Sequence, residues 1–138
     1  MTAKERLQQI RKLNACIDSK QRIVDRLRAQ AQHMSPSTVG VGASDGGKDD
    51  LVRIVAKICG MLDDINDKID ELVDKKMIIE KQIDLLPNGD SKVILERRYI
   101  ADERWEDIAE AMKLELRWVH RLHGRALQEF EKLTMKSH

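Results

Sequence analysis

Residues 105–127 read WEDIAEAMKLELRWVHRLHGRAL, and the spacing of apolar and small residues in this stretch decides the C-terminal fold. When Trp105 is counted as the first position of a twenty-residue unit, each position that two steeply crossing helices must bury is apolar. Ala109 occupies the position where a larger side chain would push the two helices apart. The stretch therefore predicts a helix-turn-helix, the alternative being an ordinary helical hairpin with the same apolar stripe. The positions predicted to be buried are Ile108, Met112, Leu114, Val119 and Leu122.

The second helix of this unit is basic on one side. Residues 116–125 contain no acidic residue, and Arg117, Arg121 and Arg125 follow one another at intervals of four. This interval places the three arginines on one side of a helix, opposite the apolar Val119. Arginine can donate two hydrogen bonds to a guanine edge or hold a phosphate, so we expect this helix to enter the major groove of double-stranded DNA. The alternative is a basic face that only meets solvent.

The expected contacts with DNA fall into two groups. Arg117, His120 and Arg121 are predicted to lie near base edges, whereas Arg125 and Lys113 are predicted to lie near phosphates. The full set of expected DNA-binding residues is Lys113, Leu116, Arg117, Trp118, His120, Arg121 and Arg125.

The chain before this unit predicts two long helices and one short one. Apolar residues three and four apart predict a helix over residues 2–34, and Ser35-Pro36 disfavours its continuation. Residues 35–47 hold four Gly, one Pro and three Ser, which predicts a flexible loop. Residues 90–100 predict a short helix after the break at Pro87-Asn88-Gly89.

The longest periodic signal predicts a helix over residues 48–86. Steps of three and four alternate strictly through this segment, a pattern typical of a coiled coil or a long helical hairpin. The predicted contact positions are Leu51, Val55, Ile58, Leu62, Ile65, Ile69, Leu72, Lys76, Ile79, Ile83 and Leu86.

These elements predict an all-α fold with two domains. Residues 1–86 are expected to form a long antiparallel helical hairpin, a coiled coil, and residues 87–138 a three-helix helix-turn-helix domain. Residues 1–34 hold eight Lys and Arg against three Asp and Glu, while residues 35–86 hold seven against eleven, so the two long helices should attract each other.

Further apolar residues of the second helix lie outside its contact positions. They predict either a homodimer, as a four-helix bundle, or packing against the C-terminal domain of the same chain. These residues are Val52, Ile54, Met61, Val73, Met77 and Ile78.

Composition and motifs exclude several classes of function. No apolar run approaches the roughly 18 residues of a membrane span and no apolar signal region follows Met1, so we expect a cytoplasmic protein without membrane contact. The sequence has no Gly-rich phosphate loop and no nucleophile elbow, so neither an enzyme nor a cofactor is expected. His120 and His123 share a helix face without a third ligand nearby, so no metal site is predicted. Cys16 and Cys59 are interpreted as reduced core residues.

The C-terminal stretch resembles region 4 of bacterial sigma factors. The resemblance covers residues 95–127 and is carried by RYI at 98–100, by W..IA at 105–109 and by V.RLH..AL at 119–127. It is closer still to small phage and prophage transcriptional regulators that contain this module, including the ArpU and RinA-like late-gene regulators. The resemblance implies promoter-proximal DNA binding, control of phage gene transcription in a bacterial host, and possible contact with RNA polymerase.

Two residues depart from the pattern of these regulators. Lys113 stands at the turn position that usually holds Gly, and Glu115 stands where Ser or Thr usually caps the recognition helix. Glu115 would repel a nearby phosphate, so base preference does not carry over. Two alternatives stay open: a phage small terminase subunit that binds packaging DNA as a ring, and a coiled-coil adaptor that binds RNA polymerase or a sigma factor.

Overall fold

A computed structural model describes residues 1–34 and 45–136 of the chain. These residues form helices and no strand, which confirms the predicted all-α fold. The α-helices are α1 (Ala3–His33), α2 (Asp45–Asp84), α3 (Gly89–Leu95), α4 (Trp105–Met112) and α5 (Leu116–Lys136), and a π-helical turn (Glu96–Ile100) follows α3. None of these helices combines the length and the apolar character that a membrane crossing requires.

The first long helix begins with a capping box. The Thr2 hydroxyl accepts from the Glu5 N–H at 3.1 Å, and the Glu5 carboxylate accepts from the Thr2 N–H at 3.0 Å. This reciprocal pair satisfies backbone donors that no helical carbonyl can reach. The second long helix begins at Asp45, three residues before the predicted Lys48. The loop prediction is therefore wrong for residues 45–47, and its remainder, 35–44, lies outside the described residues.

The structure divides into two compact units, one of which is residues 15–71. In this unit α1 and α2 pack around Val24, Ile58 and Ile65, with Ile54 and Met61 partly buried against them. The Lys20 ammonium of α1 lies 2.6 Å from the Asp64 carboxylate of α2. The hydrogen bond from Lys20 lowers the pKa of the Asp64 carboxyl, as expected for a cation beside it.

The contact positions of α2 are rotated slightly from those predicted. Val55 and Ile69 remain 47% and 39% exposed, while Ile54 and Met61 are partly buried in their place. The prediction fails here because α2 carries two adjacent apolar stripes, and the position of α1 decides which of them is buried.

The other compact unit joins Met1–Asn14 with Leu72–His138. Here α1 and α2 run antiparallel, since Arg6 hydrogen-bonds Gln82 at 2.7 Å and Gln9, further along α1, bonds the earlier Lys75 at 3.3 Å. The boundaries of the units differ from the sequence-based division after Leu86, because the ends of the long helices share a core with the C-terminal helices. Fully buried side chains of this core are Leu7, Ile10, Ile83, Leu86, Ile94, Leu95, Ile108, Val119 and Phe130.

The short helix predicted over residues 90–100 is α-helical only as far as Leu95. A π-helical turn follows, and the Ala101 N–H closes it by donating to the Glu96 carbonyl at 2.9 Å. The prediction missed this turn, which places Tyr99 in the core with 3% of its surface exposed. A π-turn inserts an extra residue into the helical repeat and is found frequently at functional sites.

Several apolar residues of α2 outside the buried stripe stay in contact with solvent. Val73, Met77 and Ile78 are 48%, 54% and 56% exposed, so the interpretation that the C-terminal helices of the same chain cover them is wrong. Val52 is 65% exposed as well. Cys59 is exposed too, which corrects its interpretation as a core residue.

Candidate nucleic-acid interface

The turn between α4 and α5 is a Schellman motif centred on Lys113. This residue has a left-handed backbone, with φ 58° and ψ 43°. Its N–H donates to the Glu110 carbonyl at 3.2 Å, and the Leu114 N–H donates to the Ala109 carbonyl at 2.9 Å. This pair of bonds ends one helix and redirects the chain into the next. The two helices predicted from the spacing of residues 105–127 are therefore present.

The buried side of this helix pair follows the predicted spacing at most positions. Ile108 and Val119 are fully buried, and Ala109, Met112 and Leu122 are partly buried. The prediction was wrong for Leu114, which is 38% exposed, because it follows the left-handed residue and lies outside both helices.

The opposite side of α5 presents its arginines to solvent. Arg117, Arg121 and Arg125 are exposed, while Val119 and Ala126 on the other side are fully buried. Because α3 and α4 both contact α5, the buried side of α5 is held and its basic side is fixed in direction.

An exposed tryptophan lies among these arginines. Trp118 is 45% exposed, and the guanidinium carbons of Arg121 and Arg117 lie 4.9 Å and 5.7 Å from the centre of its ring. Arg117 also approaches Glu115 at 3.5 Å, with both side chains 73% exposed. A surface ion pair of this kind contributes little, so Arg117 remains available to another partner.

A cluster of aromatic and basic side chains supports α5 from behind. The Tyr99 hydroxyl and His123 Nε2 form a hydrogen bond of 2.7 Å, and the Trp105 ring lies 4.6 Å from the His123 ring. The guanidinium group of Arg98 lies over the Trp105 ring, with its central carbon 4.1 Å from the centre of the ring. The cluster ties the π-helical turn and the start of α4 to the middle of α5.

This environment keeps His123 neutral. Burial, and then the positive charge of Arg98, lowers the pKa of His123 from 6.5 to about 4. Burial also raises the pKa of Tyr99, so its hydroxyl keeps its proton and can donate it to His123.

The seven predicted DNA-binding residues are all exposed, on the turn and the first three turns of α5, and Arg117, Arg121 and Arg125 share one side of the helix. Six of them are exposed with no ring of the supporting cluster against them, whereas His120 is exposed but lies 5.0 Å from Trp105 between ring centres. Sequence reasoning missed the supporting roles of Arg98 and Tyr99. The string RYI contains both residues, but in the sequence it indicated only the resemblance to sigma region 4.

A comparison with known protein families finds a match over most of the chain. Residues 29–131 match the family described as protein of unknown function (DUF1492). The chain belongs to this family. No curated protein and no solved structure matches the chain significantly.

Three of the five acidic residues between positions 102 and 110 of this DUF1492 protein pair with basic residues other than the arginines of α5. Asp102 accepts from Arg11 at 2.8 Å, and Glu103 lies 3.1 Å from Arg97. Asp107 lies 3.2 Å from Arg104. Neutralisation of these carboxylates within the chain limits their repulsion of a polyanion at α5.

Metal-ligating groups do not gather in the described part of this DUF1492 protein. Among residues 1–34 and 45–136, no three His, Cys, Asp or Glu side chains come together in a way that could hold a metal ion. His120 and His123 both face Trp105, and Nε2 of His123 is engaged by Tyr99. His123 is thus part of the packing behind α5, whereas His120 stays exposed beside Trp105.

Proposed function

We propose that this protein binds double-stranded DNA by inserting the first half of α5 into the major groove. The observation that carries the proposal is the exposed row of Arg117, Arg121 and Arg125, which projects from a helix whose opposite side is fixed by the buried Val119. The Schellman turn at Lys113 ends α4 and redirects the chain into α5.

The dimensions and chemistry of α5 suit a major groove. An α-helix with its side chains is about 10–12 Å across, close to the roughly 12 Å width of the groove in B-DNA. Arg117 and Arg121 are placed to donate to guanine O6 and N7, and Lys113 and Arg125 to phosphate oxygens. Trp118 offers an apolar surface beside them, of the kind that contacts a thymine methyl group.

The biological role follows from the resemblance to phage and prophage regulators. We propose a sequence-specific transcriptional regulator in the cytoplasm of a bacterial host, without catalytic activity, that acts near RNA polymerase. The sigma region 4 pattern over residues 95–127 supports this role, and the turn and basic helix of the structure are compatible with it.

Fluorescence anisotropy with labelled duplex DNA, at 50 to 200 mM salt, tests the proposal. The double variant Arg117→Ala, Arg121→Ala should bind roughly thirtyfold more weakly or worse, since each bidentate contact contributes about 1 kcal/mol or more. It should also reduce the dependence of affinity on salt where either arginine meets a phosphate.

A matched control removes the same charge elsewhere. Arg22 and Arg26 are exposed on α1 in the other compact unit, and their double alanine variant should bind DNA like the wild type. Equal weakening by both pairs would mean unspecific attraction of a cationic protein to DNA. Absence of binding to every sequence in a random pool at low salt would overturn the proposal.

A further inference from the structure

The residue 15–71 unit carries a second apolar stripe on α2, which we call the outer stripe. Its residues follow one another at steps of three and four, in alternation. Val52, Val55 and Ile69 are 65%, 47% and 39% exposed, Cys59 and Asn66 are exposed, and Leu62 is partly buried. The outer stripe consists of Val52, Val55, Cys59, Leu62, Asn66 and Ile69.

The outer stripe borders the surface that α2 buries against α1. Cys59 follows the buried Ile58 by one residue, and Asn66 follows the buried Ile65 by one residue. One residue is a rotation of about 100° around the helix axis. The outer stripe therefore lies beside the buried side of α2. Leu62, at its edge, packs against the core between α1 and α2, while the other five residues of the stripe remain exposed.

We propose that a second copy of this chain covers the outer stripe, as a parallel, in-register pair of α2 helices. The alternating steps match the first and fourth positions of a coiled-coil heptad, which meet the same positions of a partner helix. Val52 at a first position and Leu62 at a fourth position follow the distribution that favours two strands, whereas Val55 and Ile69 are β-branched residues at fourth positions. Asn66 stands at a first position, where a single Asn specifies register and helix number.

The charges beside the outer stripe favour the parallel orientation. Asp63 and Asp70 are exposed and directly follow Leu62 and Ile69, which places both at the same flanking position of the heptad. In an antiparallel pair this flanking position of one helix faces the same flanking position of the other helix, so the carboxylates of the two copies would oppose each other. In a parallel pair it faces the position held by the apolar Ile58 and Ile65, and the repulsion is avoided.

The expected dimer is modest in size and reversible. Six side chains from each copy, with the stems of flanking residues, bury on the order of 1,000 Å², near the lower limit for specific association. A dissociation constant in the micromolar range follows. The inference goes beyond DNA binding and stands without it, although a dimer would give two recognition helices for two half-sites.

Sedimentation equilibrium between 5 and 200 µM tests the pairing. The wild type should pass from monomer to dimer in this range, and Ile69→Asp should raise the dissociation constant at least tenfold. Ile23→Asp is the matched control, because Ile23 lies on α1 and is 40% exposed, against 39% for Ile69. Val52→Asp repeats the test at a side chain that is 65% exposed and therefore contributes little to folding.

The oligomer mass decides between outcomes. A dimer that both outer-stripe variants weaken and the control leaves intact supports the proposal. A monomer at 200 µM, a ring of many subunits, or equal behaviour of Ile69→Asp and Ile23→Asp overturns it. Circular dichroism of each variant checks that the helices are intact.

Disulfide formation in a Cys16→Ser background tests the pairing. Parallel pairing in register places Cys59 opposite its counterpart, so oxidised glutathione, which accepts the two electrons, should link the copies at concentrations where they associate. An antiparallel pair that overlaps the whole outer stripe also brings the two Cys59 thiols within about 5 Å along the axis, so Val52→Cys in a background without Cys16 and Cys59 decides the orientation. Position 52 meets its counterpart in the parallel register and lies roughly 25 Å from it in the antiparallel pair, too far for a disulfide. A dimer without a disulfide at position 52 overturns the parallel register.

Discussion

Acid should destabilise the fold because His123 lies in a site that favours its neutral form. In the folded chain the pKa of His123 is lowered to about 4, first by burial and then by Arg98, whereas in the unfolded chain it is near 6.5. Between pH 6.5 and 4 the unfolded chain binds a proton at His123 that the folded chain does not, so this contribution to stability is complete above pH 6.5 and is lost as the pH falls toward 4.

The size of this effect follows from the two pKa values of His123. The difference between 6.5 and about 4 corresponds to about 3 kcal/mol when complete, and to about 2 kcal/mol at pH 5. The ring is only partly buried, and solvent screening reduces the figure. We therefore expect the free energy of unfolding to fall by about 1–2 kcal/mol from this residue between pH 7.5 and pH 5.

Urea unfolding followed by circular dichroism at both pH values measures this contribution. His123→Gln keeps a polar partner for Tyr99 and does not titrate, so it should lose about 1–2 kcal/mol less than the wild type on acidification. His33→Gln, a histidine replacement in the other compact unit, should behave like the wild type. Parallel pH dependence of His123→Gln and wild type would refute the reasoning.

Three further variants test other parts of the structure. Lys113→Gly should stabilise the fold by about 0.5–1 kcal/mol in thermal unfolding, because glycine adopts the left-handed conformation without strain, whereas Lys132→Gly within α5 should destabilise it by about 1 kcal/mol. Glu115→Gln should tighten DNA binding several-fold in a low-salt titration, by removing phosphate repulsion and the ion-pair partner of Arg117; unchanged affinity would place Glu115 away from the duplex. Thr2→Ala should cost about 1 kcal/mol in urea unfolding through loss of the capping box, and no loss would mean that the start of α1 frays.

The parts of the fold that the sequence predicted are those with a local or strictly periodic cause. The ends of α1 lie within one residue of the prediction, because Thr2 caps the helix and Ser35-Pro36 disfavours its continuation. The turn at Lys113 was predicted from the spacing of apolar residues around it, even though glycine is absent there. The exposed row of arginines on α5 followed from an interval of four and a buried Val119.

The features that the sequence did not predict depend on contacts between distant residues. The π-helical turn is accompanied by the hydrogen bond from Tyr99 to His123, 24 residues away, which no local pattern announces. The burial of Leu7 with Phe130 depends on the start of α1 packing in the same compact unit as α5. The choice between the two stripes of α2 at Val55 depended on where α1 lies.

Methylation interference on a duplex selected from a random pool tests the placement of α5 most directly. Guanine N7 lies in the major groove and adenine N3 in the minor groove, so each modification reports on one side of the duplex. We predict that methylated guanine N7 at specific positions blocks binding, that adenine N3 methylation does not, and that Arg121→Ala removes the penalty at one guanine. Interference confined to the minor groove, or a guanine pattern unaffected by Arg117→Ala and Arg121→Ala, would contradict the account.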